Sequence, residues 1–117
     1  MRLSEIADLL ECEVLLGAER LGAIEVQACF AADLMSDVLR YSRSGTLLIT
    51  GLTSVQSIHT ADVAALTAIL FVSDKTPGQA TVDLAREKDI PLLTTSRGMF
   101  DACGILYRAG LAMAVDV

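Results

Sequence analysis

Apolar residues fall along this chain in short dense runs, separated by segments in which they recur every third or fourth position. The densest runs are Thr46-Leu47-Leu48-Ile49-Thr50, Ala68-Ile69-Leu70-Phe71-Val72 and Pro91-Leu92-Leu93-Thr94. A continuous apolar run closed by polar turn residues fits a strand covered on both faces, the interior of a parallel sheet rather than an exposed hairpin. The segments between them carry helical spacing. Residues 32–41 place Leu34, Met35, Val38 and Leu39 on one side and Asp33, Ser36, Asp37 and Arg40 on the other. Residues 54–66 turn Val55, Ile58 and Val63 inward. Thr76-Pro77 offers a cap followed by proline at the first helical position, which predicts a helix to about Lys88. Its wet face carries Asp83, Arg86, Glu87 and Lys88. Ser96 is placed to cap a last helix, in which Met99, Cys103 and Leu106 share one stripe.

The first third is less regular. Ser4 is placed to cap a short helix with Ile6, Leu9 and Leu10 at helical spacing, and residues 13–16 predict a strand closed by Gly17. Residues 24–30 are β-prone, with Gly22 setting their start. The whole reads as one α/β domain over residues 1–117: a mostly parallel sheet built from βα units, with helices packed on it and right-handed crossovers. The first helix and strands extend that sheet or cover one side.

Composition changes this picture in two ways. With 117 residues, 53% hydrophobic and 21% charged, the chain can bury a true core and is not disordered. A mean hydropathy of +0.54 is more apolar than a small monomer needs, and points to burial against a second subunit, a homodimer. No apolar run reaches the roughly eighteen residues of a membrane span. Glu5 stands where a signal peptide would begin its apolar core, so a cytoplasmic location is expected. The net charge of −6 and scattered basic residues argue against a nucleic-acid surface. Cys12, Cys29 and Cys103 are odd in number and lack CxxC spacing, which fits free buried thiols rather than disulfides or zinc. No cofactor is expected.

Chemistry concentrates at strand ends. In an open parallel sheet, ligands bind beyond the carboxyl ends of the strands. Three small polar loops fall there, at residues 50–54, 73–78 and 94–98. Each precedes a helix, so backbone N–H groups and a positive helix end would face a crevice suited to phosphate or carboxylate. Thr50, Gly51, Thr53 and Ser54 are the candidate ligand-binding residues, with Lys75 and Arg97 adding positive charge. The same residue types also cap helices and make tight turns, so capping alone is the alternative use. Neither GxxxxGK[ST] nor GxGxxG occurs.

Asp33 and Asp37, four apart, are expected on one helix face neighbouring that crevice. There they could hold a magnesium ion or act as an acid–base pair; the alternative is one capping, one solvated and Arg40 balancing them. His59, the single histidine, is expected beside the apolar stripe of its helix, buried or at an interface. No Ser–His–Asp or Cys–His arrangement stands out, and the chain reads as a non-enzyme.

The succession Asp33-Leu34-Met35-Ser36-Asp37-Val38, Gly45-Thr46-Leu47-Leu48-Ile49-Thr50, Ala68-Ile69-Leu70-Phe71-Val72 and Ile90-Pro91-Leu92-Leu93 resembles the DRTGG domain family, over about residues 3–107. Order and spacing carry the resemblance. Where that family often has a Gly-Asp-Arg-like or His-containing loop, this chain has Gly51-Leu52-Thr53-Ser54-Val55-Gln56. The resemblance implies an accessory regulatory α/β domain. Such domains occur beside phosphotransacetylase catalytic domains and between CBS modules of nucleotide-regulated pyrophosphatases. They are also similar to the N-terminal domain of HPr kinase/phosphorylase, whose P-loop is missing here.

Three functional expectations follow. One is a regulatory, ligand-sensing homodimer that takes a phosphorylated or nucleotide ligand at the strand-end loops. Another is an adaptor that recognises a protein partner and binds no small molecule. A metal-assisted enzyme using Asp33 and Asp37 is a third.

Overall fold

The structure is a computed structural model that describes residues 1–113; the last four residues of the expected domain lie outside the described ones. Its elements are α1 (Leu3–Leu9), β1 (Glu13–Leu16), β2 (Ala28–Ala31), α2 (Met35–Tyr41), β3 (Thr46–Thr50), α3 (Val55–Val63), β4 (Ala68–Phe71), α4 (Gln79–Lys88), β5 (Leu92–Thr94) and α5 (Met99–Arg108). A 3-10 turn spans Ala18–Arg20.

The five strands form one sheet in the order β1-β5-β4-β3-β2. Four of them, β2 to β5, run parallel, and β1 closes the β5 edge antiparallel. Strand residues divide between two cores by simple alternation. Leu47, Ile49, Ala68, Leu70 and Leu93 meet Leu3, Ile6 and Leu10 of the α1 segment and Ala102 and Leu106 of α5. Leu48, Ile69, Phe71 and Leu92 meet Met35 and Val38 of α2, Ile58 and Ala61 of α3, and Ala85 of α4. Both faces being covered, every residue of β3, β4 and β5 is buried. That is why their sequence runs are continuously apolar instead of alternating.

From β2 to β5 the strands step in one direction, so α2, α3 and α4 all pack on the same face, as crossovers of one hand require. Chain ends supply the other face, with α1 and α5. Gly17 closes β1 with φ +89°, and a Cβ there would stand 3.0 Å from Pro91 Cβ. Only glycine fits that turn without strain.

Element boundaries differ from the sequence expectation in consistent ways. Every expected side-chain cap is displaced: Gly78 and Gly98, not Thr76 and Ser96, precede α4 and α5. Arg2 precedes α1, and the Glu5 carboxylate accepts the Arg2 N–H at 3.1 Å, so Ser4 lies inside the helix. Pro77 is buried in the link before α4 rather than in its first turn. Strand β2 starts four residues later than Ile24, because residues 24–26 pair with the N-terminus instead. Leu3 N–H donates to the Ile24 carbonyl, Val26 N–H donates to Met1, and the terminal ammonium meets Glu25 at 2.7 Å.

Helix α2 starts three residues later than expected, and Leu34 and Leu39 are exposed. Helix α3 buries Ser57, Ile58, Thr60 and Ala61, while Val55 and Val63 face outward; Val63 is 76% exposed. Small residues let α3 sit between its neighbours α2 and α4, so close approach outweighs the larger apolar side chains in setting its rotation.

Candidate functional site

Loops leaving β2, β3, β4 and β5 gather at the carboxyl edge of the parallel sheet. Asp33, just past β2, is the link between them. It precedes α2 instead of lying on it, so it does not share a helix face with Asp37. Its Oδ1 accepts the Thr50 hydroxyl at 3.0 Å and the Gly51 N–H at 2.8 Å. Thr50 in turn accepts the Leu52 N–H on its hydroxyl oxygen at 3.1 Å. An anion therefore does sit at the β3 loop, and it is the protein's own carboxylate. Asp37 stays in the first turn of α2, where the positive helix end favours a carboxylate. Arg40 lies against the Tyr41 ring, 5.4 Å from its centroid, instead of between the two aspartates.

Further N–H groups of these loops, at Ser73, Asp74, Lys75, Thr95 and Arg97, are also committed to internal acceptors. Connections from β4 and β5 leave toward opposite faces, to α4 and α5, and that divergence would open a crevice between them. It is stitched shut. Ser73 and Asp74 adopt left-handed conformations, φ 61° and 58°. Their N–H groups donate to the Arg97 carbonyl at 2.8 Å and the Thr95 carbonyl at 2.9 Å. Thr94 Oγ1 donates to the Lys75 carbonyl at 2.8 Å, and Thr95 Oγ1 to the Leu10 carbonyl at 2.8 Å. Left-handed backbone at two successive non-glycine residues costs energy, and the three of these bonds that hold residues 73–75 offset it, while the fourth ties the β5 loop to the end of α1.

What stays open surrounds Gly51. A Cβ on that glycine would stand 3.2 Å from Lys75 Nζ and 3.6 Å from Asp33 Oδ1. The lysine of the β4 loop thus reaches across to the β3 loop. Ser54 makes no side-chain capping bond to α3, although its carbonyl accepts both the N–H and the hydroxyl of Ser57. The Thr53 carbonyl is held by the Thr81 hydroxyl at 2.9 Å. Capping is therefore not what the Ser54 hydroxyl does here.

The two expected cations separate. Lys75 belongs to the Gly51 cluster, whereas the Arg97 guanidinium pairs with Glu11 at 3.3 Å, on the α1 side. His59 is exposed on α3, not buried. Thr81, Thr94 and Thr95 were missed as positioning residues; their signal was a threonine closing an apolar run or opening a helix, which turn chemistry explains equally well.

The three thiols are free and half-buried rather than fully buried. Burial pushes Cys29 up to about 12, helped by the nearby Cys103, and pushes Cys12 up to about 11. Cys103 is raised for the same reason. Cys29 and Cys103 line an apolar cleft of about 110 Å³ with Ile49, Leu106 and Leu111. Among the described residues no Asp, Glu, Lys, Arg or His lines it. Among the described residues, no three His, Cys, Asp or Glu side chains are grouped to hold a metal. None of their helices is long and apolar enough to cross a membrane.

An α/β domain sandwiched between helices, with strand-end loops bridged by a carboxylate, is the class that fold and site define. The sequence model of the DRTGG domain matches residues 5–109, and the chain belongs to the DRTGG domain family. Among solved structures it is similar to the CBS and DRTGG domains of the regulatory region of Clostridium perfringens pyrophosphatase, complexed with the activator diadenosine tetraphosphate. The TM-score is 0.70 at 16% identity, and the match covers 98% of this chain and 51% of that one. This chain thus spans about half of that structure, and the likeness is one of fold. No curated protein matches the sequence.

Proposed function

We propose that this domain, over residues 1–117, is a cytoplasmic regulatory module that senses a phosphorylated or nucleotide ligand and acts as a homodimer. The observation that carries this reading is the Lys75 ammonium held beside Gly51, where loops from β3 and β4 converge. Thr50, Gly51, Thr53 and Ser54 form the floor, Asp33 fixes the loop, and Lys75 supplies the charge for an anion. Arg97, paired with Glu11, and Asp37, in the first turn of α2, contribute to the field rather than to contact. The regulatory setting of the pyrophosphatase domain, which is crystallised with a dinucleotide activator, supports the same class of ligand. Ligand that prefers one assembly or conformation would shift its population, without turnover.

A thermal-shift titration with nucleotides, diadenosine polyphosphates and inorganic polyphosphate tests this. Ligand at a hundredfold excess over its dissociation constant stabilises the fold by about 2.7 kcal/mol. Lys75→Ala is expected to abolish that shift while leaving the ligand-free midpoint nearly unchanged, since Lys75 is exposed. A shift that survives Lys75→Ala would move the ligand away from this cluster.

The adaptor reading is supported by a different observation: the N–H groups of Gly51, Leu52, Ser73 and Asp74 are already bonded within the protein. A flat screen with all three ligand classes favours it. Alanine at Thr53 and Ser54 would then change only stability.

A further inference from the structure

We infer that α5 is the self-association surface of this domain, two copies pairing their α5 helices antiparallel about a two-fold axis at Gly104. This rests on the proposed homodimer and says where it forms. One side of α5 is spent on the core, with Ala102 and Leu106 buried and Met99, Cys103 and Ile105 packed beside them. The opposite side is unusual for a free surface. Phe100 is 89% and Tyr107 74% exposed, and they flank Gly104 at helical spacing.

Gly104 is the second observation. Glycine in a helix interior is less favourable than alanine, and here nothing in the protomer requires it. Its φ is ordinary, and among the described residues no atom beyond its own helix backbone and chain neighbours lies within 4 Å of where a Cβ would stand. A shallow cleft of about 260 Å³ runs over it, bordered by Phe100, Asp101, Ile105 and Arg108. Missing side-chain volume at the centre of an exposed aromatic face lets another backbone approach closely.

The occupant follows from the pattern. At 100° per residue, Phe100 and Tyr107 fall on one flank of Gly104, and Asp101 and Arg108 fall on the other. Each pair straddles Gly104 along the helix axis. An antiparallel copy centred on Gly104 sets Phe100 against Tyr107 of its mate and Asp101 against Arg108 of its mate, twice over by symmetry. Both complementarities, aromatic and ionic, are met in one register. A parallel pairing about a two-fold axis along the helices would instead set Phe100 against Asp101 of the mate and Tyr107 against Arg108, and neither the aromatic nor the ionic match would be made. The face fits a second copy of itself.

Sedimentation equilibrium across a range of protein concentrations tests this. Wild type is expected to dimerise. Gly104→Leu fills the contact point and should give a monomer, while its circular dichroism holds and its unfolding midpoint stays at or above that of dilute, dissociated wild type, because leucine is the better helix former. Asp101→Arg or Arg108→Asp alone should weaken the dimer about tenfold or more by setting like charges opposite one another. The double variant D101R/R108D should recover it. A wild-type chain that is monomeric at every concentration overturns this surface and the proposed homodimer together. A dimer that Gly104→Leu and both single reversals leave at wild-type affinity overturns the surface alone.

Discussion

Single residues here act mainly by holding other residues in place. Asp33 is the clearest case: one carboxylate joins the end of β2 to Thr50 and Gly51 of the next strand, and so sets the shape of the loop against which Lys75 lies. The cysteines make a measurable contribution of another kind. A thiol held near 12 in the folded chain and near 9.0 when unfolded keeps its proton longer in the native state. Stability from Cys29 is therefore complete below pH 9 and lost as pH rises from about 9 toward 12. Urea unfolding is expected to show a fall of about 1 kcal/mol per pH unit from Cys29 in that window. Cys29→Ala should fall less steeply than wild type, and equal slopes would remove the thiol as the cause.

At the scale of elements, burial and not residue size decides what matters. Leu48, at the centre of a strand buried on both faces, packs against Met35, Ile58 and Ile69 in the α2–α4 core. Leu48→Ala should cost about 3–5 kcal/mol by transfer and cavity terms. Val63, an apolar residue on a helix whose pattern turned it inward, is largely in water. Val63→Ala should stay within about 0.5 kcal/mol. Chemical denaturation of the two variants checks both, and a cost at Val63 close to that at Leu48 would mean its face is covered in solution.

The whole molecule presents a further consequence of the same exposed apolar groups. Phe100 and Tyr107 stand in water on α5, and Leu34 and Leu39 stand in water at α2. If α5 pairs with a second copy, folding and association are linked, and the thermal midpoint depends on protein concentration. A tenfold dilution should lower the midpoint of wild type and leave that of Gly104→Leu unchanged. Equal behaviour of the two proteins would decouple stability from assembly. The Gly51 cluster lies at the carboxyl edge of the sheet and α5 covers one of its faces, so ligand and pairing effects can be separated by the Lys75 and Gly104 variants.

The sequence by itself determined the α/β class, the order of the last three strands with their following helices, and the turn at Gly17. These follow from local pattern: a strand covered on both faces must be continuously apolar, and glycine marks a left-handed turn. The resemblance to the DRTGG family was legible in the same runs. Helix starts were misread because Ser4, Thr76 and Ser96 have the chemistry of caps, yet long-range pairing chose the boundaries. At the site, sequence could bring Thr50, Gly51, Thr53, Ser54 and Lys75 to strand ends but not say which would meet. Only tertiary structure decided that Asp33 leaves its helix to hold Gly51, that Lys75 comes to the same place, and that Arg97 turns away to Glu11. Those contacts join residues on different strands and loops. Their geometry depends on how strands are ordered and which face each helix covers, which no local spacing encodes.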